Sequence, residues 1–183
     1  TSRASFNDTN IDSDNTTQLE SGPVTRRIFT ASAAGALVPF TWTNLDATQK
    51  TYFTTPHIER VSDTQGLTQF CTVGPSCLTA VAQTAAKGEN LVNFLRGDRT
   101  YEGTYYRSRM HVLGDIVSAE ARYVKQPLQN YADANYAAFR TLRANRSPTV
   151  YVGSNDGMLH AFNALTGQER WGFIPSSVLP NLY

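Results

Sequence analysis

The chain has 183 residues, 40% of them hydrophobic and 17% charged, which suits a packed domain and excludes a disordered one. A formal net charge of +1 without a Lys/Arg-rich run gives no electrostatic footprint for nucleic acid or a membrane surface. No apolar stretch approaches the ~20 residues of a membrane-spanning helix, and no signal-peptide pattern is present.

Residues 1–23 are rich in Ser, Thr, Asn and Asp and read as a polar arm or loop. Within them Asp8, Asn10, Asp12 and Asp14 alternate oxygen donors as a calcium loop does. Ser13 stands where such a loop turns on glycine. Leu19 stands where the bidentate acid belongs, with Glu20 one residue late. A calcium loop and a solvated arm therefore both remain open.

Two short strands are expected over residues 26–30 and 36–42, joined by a turn at Ala34-Gly35. Asn44 is placed as a helix N-cap, with Asp46 in the first turn and Pro56 bounding the helix. Cys71 and Cys77 are the two cysteines, and Gly74-Pro75 between them can turn the chain. A small-loop disulfide, implying an oxidising compartment, and two reduced thiols are the competing outcomes. Two cysteines without nearby histidine fall short of the four ligands zinc usually takes.

A second helix is expected from about Ser76, with Leu78, Val81, Ala82 and Ala85 on one face and Gly88 as its break. Leu91, Val92, Phe94 and Leu95 follow in a further helix, and Gly97 suits the position just past its end. Arg96-Gly97-Asp98 spells a tripeptide bound by some cell-surface receptors. The competing reading is a helix terminus, with Arg96 at the negative end of the dipole and Asp98 paired with Arg99.

From His111 the pattern turns β-prone. Val112, Leu113, Ile116 and Val117 suggest a strand, Arg122-Tyr123-Val124 another, and Tyr136, Phe139 and Arg143 a short helix before Pro148. Residues 149–174 are the clearest stretch. A strand over 149–153 meets an Asn155-Asp156-Gly157 turn, a return strand over 158–162, a turn ending at Thr166-Gly167 and a third strand to Ile174. Asp156, Gly157, Thr166 and Gly167 are read as turn residues. Three strands with tight turns make a β-meander, the unit of a propeller blade. Val150, Val152, Leu159 and Phe162 can alternate toward the blade faces. His57, His111 and His160 are scattered, His160 sits where an aromatic would pack, and no acid–base pair stands out.

The string from Val150 to Trp171 resembles the blade repeat of quinoprotein-type propellers, in which the tryptophan packs between neighbouring blades. Residues 91–99, Tyr106-Arg107-Ser108-Arg109, Leu113-Gly114-Asp115-Ile116-Val117 and residues 174–182 narrow the resemblance. Together they are similar to the PilC/PilY family of type IV pilus adhesins. Ser118-Ala119-Glu120-Ala121-Arg122 departs from the small residues and proline that the family tends to carry there.

The fold class expected is mainly β with helical insertions, as a fragment of a quinoprotein-like β-propeller. Residues 1–23 form an arm, 24–110 strands and a helical insertion, and 111–183 an incomplete blade region. The chain starts at Thr1 and stops soon after a strand, so it is expected to be a processed product or part of a longer chain and not a closed ring. The resemblance implies a non-enzymatic factor in pilus biogenesis and attachment, at the cell surface, pilus tip or outer membrane of a bacterium. It implies pilins, further propeller segments and host or abiotic surfaces as partners, with calcium elsewhere in the parent protein. The alternative is a fragment of a quinone-dependent dehydrogenase, which shares the repeat but needs a charged calcium pocket. A bare scaffold propeller is the third reading.

Overall fold

The computed structural model describes residues 26–54 and 77–182. The expected arm over residues 1–23, with Asp8, Asn10, Asp12 and Asp14, lies outside the described residues, as do Pro56, His57, Cys71 and Ser76.

Strand β1 (Ile28–Ala31) turns back through Gly35, at φ +77°, into antiparallel β2 (Leu37–Pro39). The second strand is shorter than residues 36–42. Phe40 leaves the ladder to bury its ring fully, edge-on to Phe53 with centroids 5.9 Å apart.

Helix α1 (Ala47–Thr51) is capped by Asp46 and not by Asn44. The Gln49 backbone N–H donates to Asp46 Oδ1 at 2.9 Å, and Gln49 Oε1 accepts from the Asp46 N–H at 3.2 Å. This reciprocal box needs a Glu or Gln three residues after the cap, which Asp46 has and Asn44 lacks. Asn44 instead donates to Thr41 Oγ1. Gln49 Nε2 also donates to the Ala31 carbonyl, fastening α1 to β1.

Helix α2 (Ala80–Ala85) begins at Thr79, whose hydroxyl accepts from the Ala82 N–H. Of the face expected through Leu78, Val81, Ala82 and Ala85, Leu78 packs against the core, Ala82 and Ala85 are half-buried, and Val81 is 81% exposed; Ala86 is the fully buried contact. Leu78 and Ala86, at the two ends of this short helix, hold that side toward the core and leave Val81 in solvent. Helix α3 (Glu89–Leu95) starts after Gly88 at φ +63° and buries Leu91 and Val92.

The segment around Val112, Leu113, Ile116 and Val117 is not a strand. It crosses the end of the sheet as a loop, held where the Gly114 N–H donates to Asp156 Oδ2 and the Asn155 N–H donates to the Asp115 carbonyl. Two of its apolar residues are used in packing: Val112 is buried with Val152 and Phe162, and Leu113 packs against them, whereas Ile116 and Val117 are exposed. Gly114 allows this approach, since a Cβ there would lie 2.5 Å from the Asp156 backbone nitrogen.

Strands β3 (Arg122–Val124), β4 (Thr149–Gly153), β5 (Leu159–Asn163) and β6 (Glu169–Ile174) run antiparallel in chain order, making the four-stranded unit of a propeller blade. Helix α4 (Tyr136–Leu142) lies between β3 and β4. β1 adds to the blade by pairing parallel with β6, giving the six-stranded order β2-β1-β6-β5-β4-β3.

The two faces of this sheet differ. Ile28, Thr30 and Ile174 are buried with Leu91, Val92, Phe40 and Met158 under the helices. Toward the other face Phe29, Leu37, Leu159, Trp171 and Phe173 surround a hollow of about 460 Å³. Leu37 is 64% exposed and Trp171 is only half-buried, against Tyr151.

Candidate functional site: a buried ion chain and an open sheet face

At the blade's centre His160 is fully buried. Its Nδ1 lies 2.7 Å from Glu169 Oε1, and its Nε2 lies 3.0 Å from Asp156 Oδ2 and 3.0 Å from Ser154 Oγ. Glu169 is in turn gripped by Arg26, whose Nε donates to Oε2 and Nη2 to Oε1, both at 2.8 Å. Such a two-pronged guanidinium–carboxylate pair is among the stronger charge-assisted contacts. Arg26 Nη1 donates to the carbonyl of Arg96, so the chain of charges runs from the β4–β5 turn through β5 and β6 to the end of α3.

The protonation states follow from this arrangement. Burial opposes a charge on His160, but its hydrogen bonds to Asp156 and Glu169 and their negative charges raise its pKa to about 9. Burial likewise opposes the Asp156 carboxylate, yet His160, the Ser154 hydroxyl and the Gly114 N–H bring its pKa down to about 2. Glu169 also falls to about 2 against burial, through Arg26 first and His160 second. Near neutral pH two cations alternate with two anions, so each buried charge has a partner of opposite sign.

No acid–base pair stood out in the sequence, and the fold sets His160 between two carboxylates. His160 occupies a core position, with its ring stacked 5.7 Å from that of Phe162, but it is an ionic junction as well as a packing group. The missed residues were Arg26 and Glu169. Simple alternation along β6 puts Glu169 and Trp171 on one face. A bulge shifts the register so that Glu169 opposes Phe162 while Trp171 opposes Ala161, which turns the two to opposite faces. Asp-x-x-x-His over 156–160 was a signal available in the sequence.

Asp156 holds its turn directly. Its Oδ1 accepts the Met158 N–H at 3.0 Å and the Ser154 hydroxyl, and Gly157 has φ +81°. In the second turn Gly167 has φ +76°, its N–H donates to the Asn163 carbonyl, and Thr166 Oγ1 accepts from the Gln168 N–H.

Arg96-Gly97-Asp98 forms the C-terminus of α3. The Gly97 N–H returns to the Phe94 carbonyl and the Asp98 N–H to that of Asn93, the paired bonds of a Schellman end, with Gly97 buried at φ +111°. Arg96 turns back toward Asn93 and Arg26. Asp98 binds Thr100 through its N–H and hydroxyl, whereas Arg99 reaches Glu102 and two carbonyls, so the expected Asp98–Arg99 pair does not form. Arg109 finishes this end: it donates to Glu102 and to the carbonyls of Phe94 and Asp98, with its guanidinium 3.8 Å from the Phe94 ring centre.

Cys77 is half-buried and no described cysteine is free. Among the described residues no group of three or more His, Cys, Asp or Glu is arranged to hold a metal ion. No helix there is long and apolar enough to cross a membrane.

Residues 112–180, which contain the blade, match the family of the PilY1 beta-propeller domain. That region belongs to the PilY1 β-propeller family. Type IV pilus biogenesis factor PilY1 of Pseudomonas aeruginosa strain UCBPP-PA14 is 36% identical over 171 residues, covering 87% of this chain and 13% of the relative. The same factor from strain PAK is 33% identical over 177 residues, 90% of this chain and 13% of the relative. A PilY1 homolog of Xylella fastidiosa is 45% identical over 114 residues, 57% of this chain and 9% of the relative. The chain thus spans a small part of these curated relatives. No solved structure is a significant match. The PilY1 relationship and the antiparallel blade together fit the expected propeller fragment.

Proposed function

We propose that this chain is a blade-bearing part of a larger pilus biogenesis factor, acting outside the cytoplasm at the bacterial surface in pilus assembly and attachment. The observation that carries this reading is the similarity to PilY1 along 87–90% of the chain, over residues that include the blade. The open apolar face at Phe29, Trp171 and Phe173 supports a blade that requires a neighbour, because an exposed apolar hollow of this kind is costly in water. Further propeller segments would cover it. Pilins are the partners of the assembled protein, and calcium is a ligand of that whole protein.

The protein acts by binding and not by catalysis in this reading. Residues of the repeat are committed to packing, to turns and to the internal ion chain. A quinone dehydrogenase would instead direct a charged pocket at a cofactor. The test is to remove residues 1–183 from the parent protein in its own bacterium and to count surface pili. Loss of pili, restored by the intact gene, is expected. Unchanged piliation and attachment, or quinone-dependent dye reduction by the purified parent, would overturn the proposal.

A Cys71–Cys77 bond belongs to the same reading, since an oxidising compartment preserves it. Thiol titration of the unreduced, denatured chain should find no reactive thiol. Two thiols per chain would remove the bond and the compartment argument with it.

A further inference from the structure

Helix α4 buries none of its residues. It sits in the excursion between β3 and β4, where Leu128 is 81% and Leu142 73% exposed. Three rings form a ladder along it: Tyr131 and Tyr136 have centroids 5.0 Å apart, Tyr136 and Phe139 5.8 Å, and the Arg146 guanidinium lies 5.7 Å from the Phe139 centre. Residues 120–146 hold five cationic side chains and two carboxylates, Asp133 and Glu120, the latter paired with Arg122, in a chain whose net charge is only +1. Positive charge is therefore concentrated here and offset elsewhere.

Beside α4 lies a hollow of about 630 Å³, lined in part by Leu128, Ala137, Arg140 and Thr141. Gln126, Pro127 and Ala144 complete its lining.

We propose that this excursion docks an acidic, apolar-bearing peptide segment of a partner protein. Two features of the surface select that chemistry. Arg140 and Arg143 call for carboxylates, and the exposed Leu128, Leu142 and aromatic rings call for apolar side chains. A short peptide can set carboxylates and apolar side chains side by side, which matches Arg140 beside Leu128 and Leu142. The hollow is also of the size that takes a few side chains. This inference does not depend on the pilus reading.

Fluorescence anisotropy with the 183-residue chain tests it. The probe is a labelled dodecapeptide alternating Glu with Leu and Tyr; the control replaces every Glu by Lys. Parallel arms use phosphatidylglycerol–phosphatidylcholine vesicles and single-stranded DNA. Saturable binding of the Glu peptide, weakened by added salt and absent with the Lys peptide, is expected. Arg140→Glu with Arg143→Glu should raise Kd by about tenfold or more. Arg143→Glu alone, at an exposed site, should weaken binding with an unchanged melting temperature, which guards against a folding defect. No binding of the Glu peptide, equal binding of the Lys peptide, or wild-type affinity in the arginine variants would overturn the proposal. Vesicle or DNA binding without peptide binding would overturn it in favour of that other partner class.

Discussion

Gly157→Val is expected to destabilise the chain by about 3–5 kcal/mol, combining strain at positive φ with overpacking. Gly157 holds φ +81°, a region that β-branched residues rarely enter. Space is lacking as well: a Cβ would lie 2.6 Å from Leu182 Cδ1 and 2.9 Å from Val178 Cγ1. Those contacts belong to the segment that follows β6, so the variant disturbs both the β4–β5 turn and the segment packed over it. Urea denaturation followed by tryptophan fluorescence measures the loss. A midpoint within error of wild type would show that the turn does not adopt this conformation.

Glu169→Ala is expected to cost about 3–5 kcal/mol, the range for removing one member of a buried ion pair. The carboxylate lies between Arg26, whose side chain is 1% exposed, and His160, which is fully buried. Its removal leaves Arg26 without that carboxylate and His160 with Asp156 as its remaining carboxylate. Glu120→Ala is the contrasting variant: its partner Arg122 is 71% exposed and Glu120 itself 74%, so about 0–1 kcal/mol is expected. Comparable losses for the two variants would mean that the Glu169 chain is solvated.

The same chain sets a pH dependence. His160 has its pKa raised from 6.5 to about 9 in the fold, so its contribution is fully present below about pH 6.5 and is lost as pH rises through about 9. Asp156 and Glu169 have lowered pKa values. Their contribution is present above the ordinary carboxylate range and is lost as pH falls through about 2. Thermal melts should therefore be highest between about pH 4.5 and 6.5 and decline on both sides. Glu169→Ala should flatten the alkaline decline, because one of the two groups that raise the His160 pKa is gone. An alkaline limb as steep as wild type in that variant would assign the decline to other groups.

Much of the blade was legible in the sequence because its signals are local. Asp-Gly and Thr-Gly supply residues for turns with positive φ, and β-branched and aromatic runs between them mark strands. β3, β4, β5, β6 and α4 accordingly lie close to their expected places. The end of α3 was legible for the same reason, since Gly97 needs only its own backbone freedom to stop the helix. The α1 cap was present in the sequence as Asp46-x-x-Gln49, but Asn44 offered a competing cap two residues earlier.

What the tertiary structure decided is non-local. Apolar residues at 112–117 could line a strand or lie across one, and local propensity favours the strand. The close approach of Gly114 to Asp156, 42 positions away, settles it as a loop. Arg26 and Glu169 are 143 positions apart, and they meet only because β1 joins β6 in parallel and a bulge turns Glu169 inward. The sequence by itself thus determined the strands, their turns and the family of the blade, because those depend on neighbouring residues. The ion chain at the blade's centre was decided by strand order and register, because the energy of a buried charge depends on what the whole fold brings beside it.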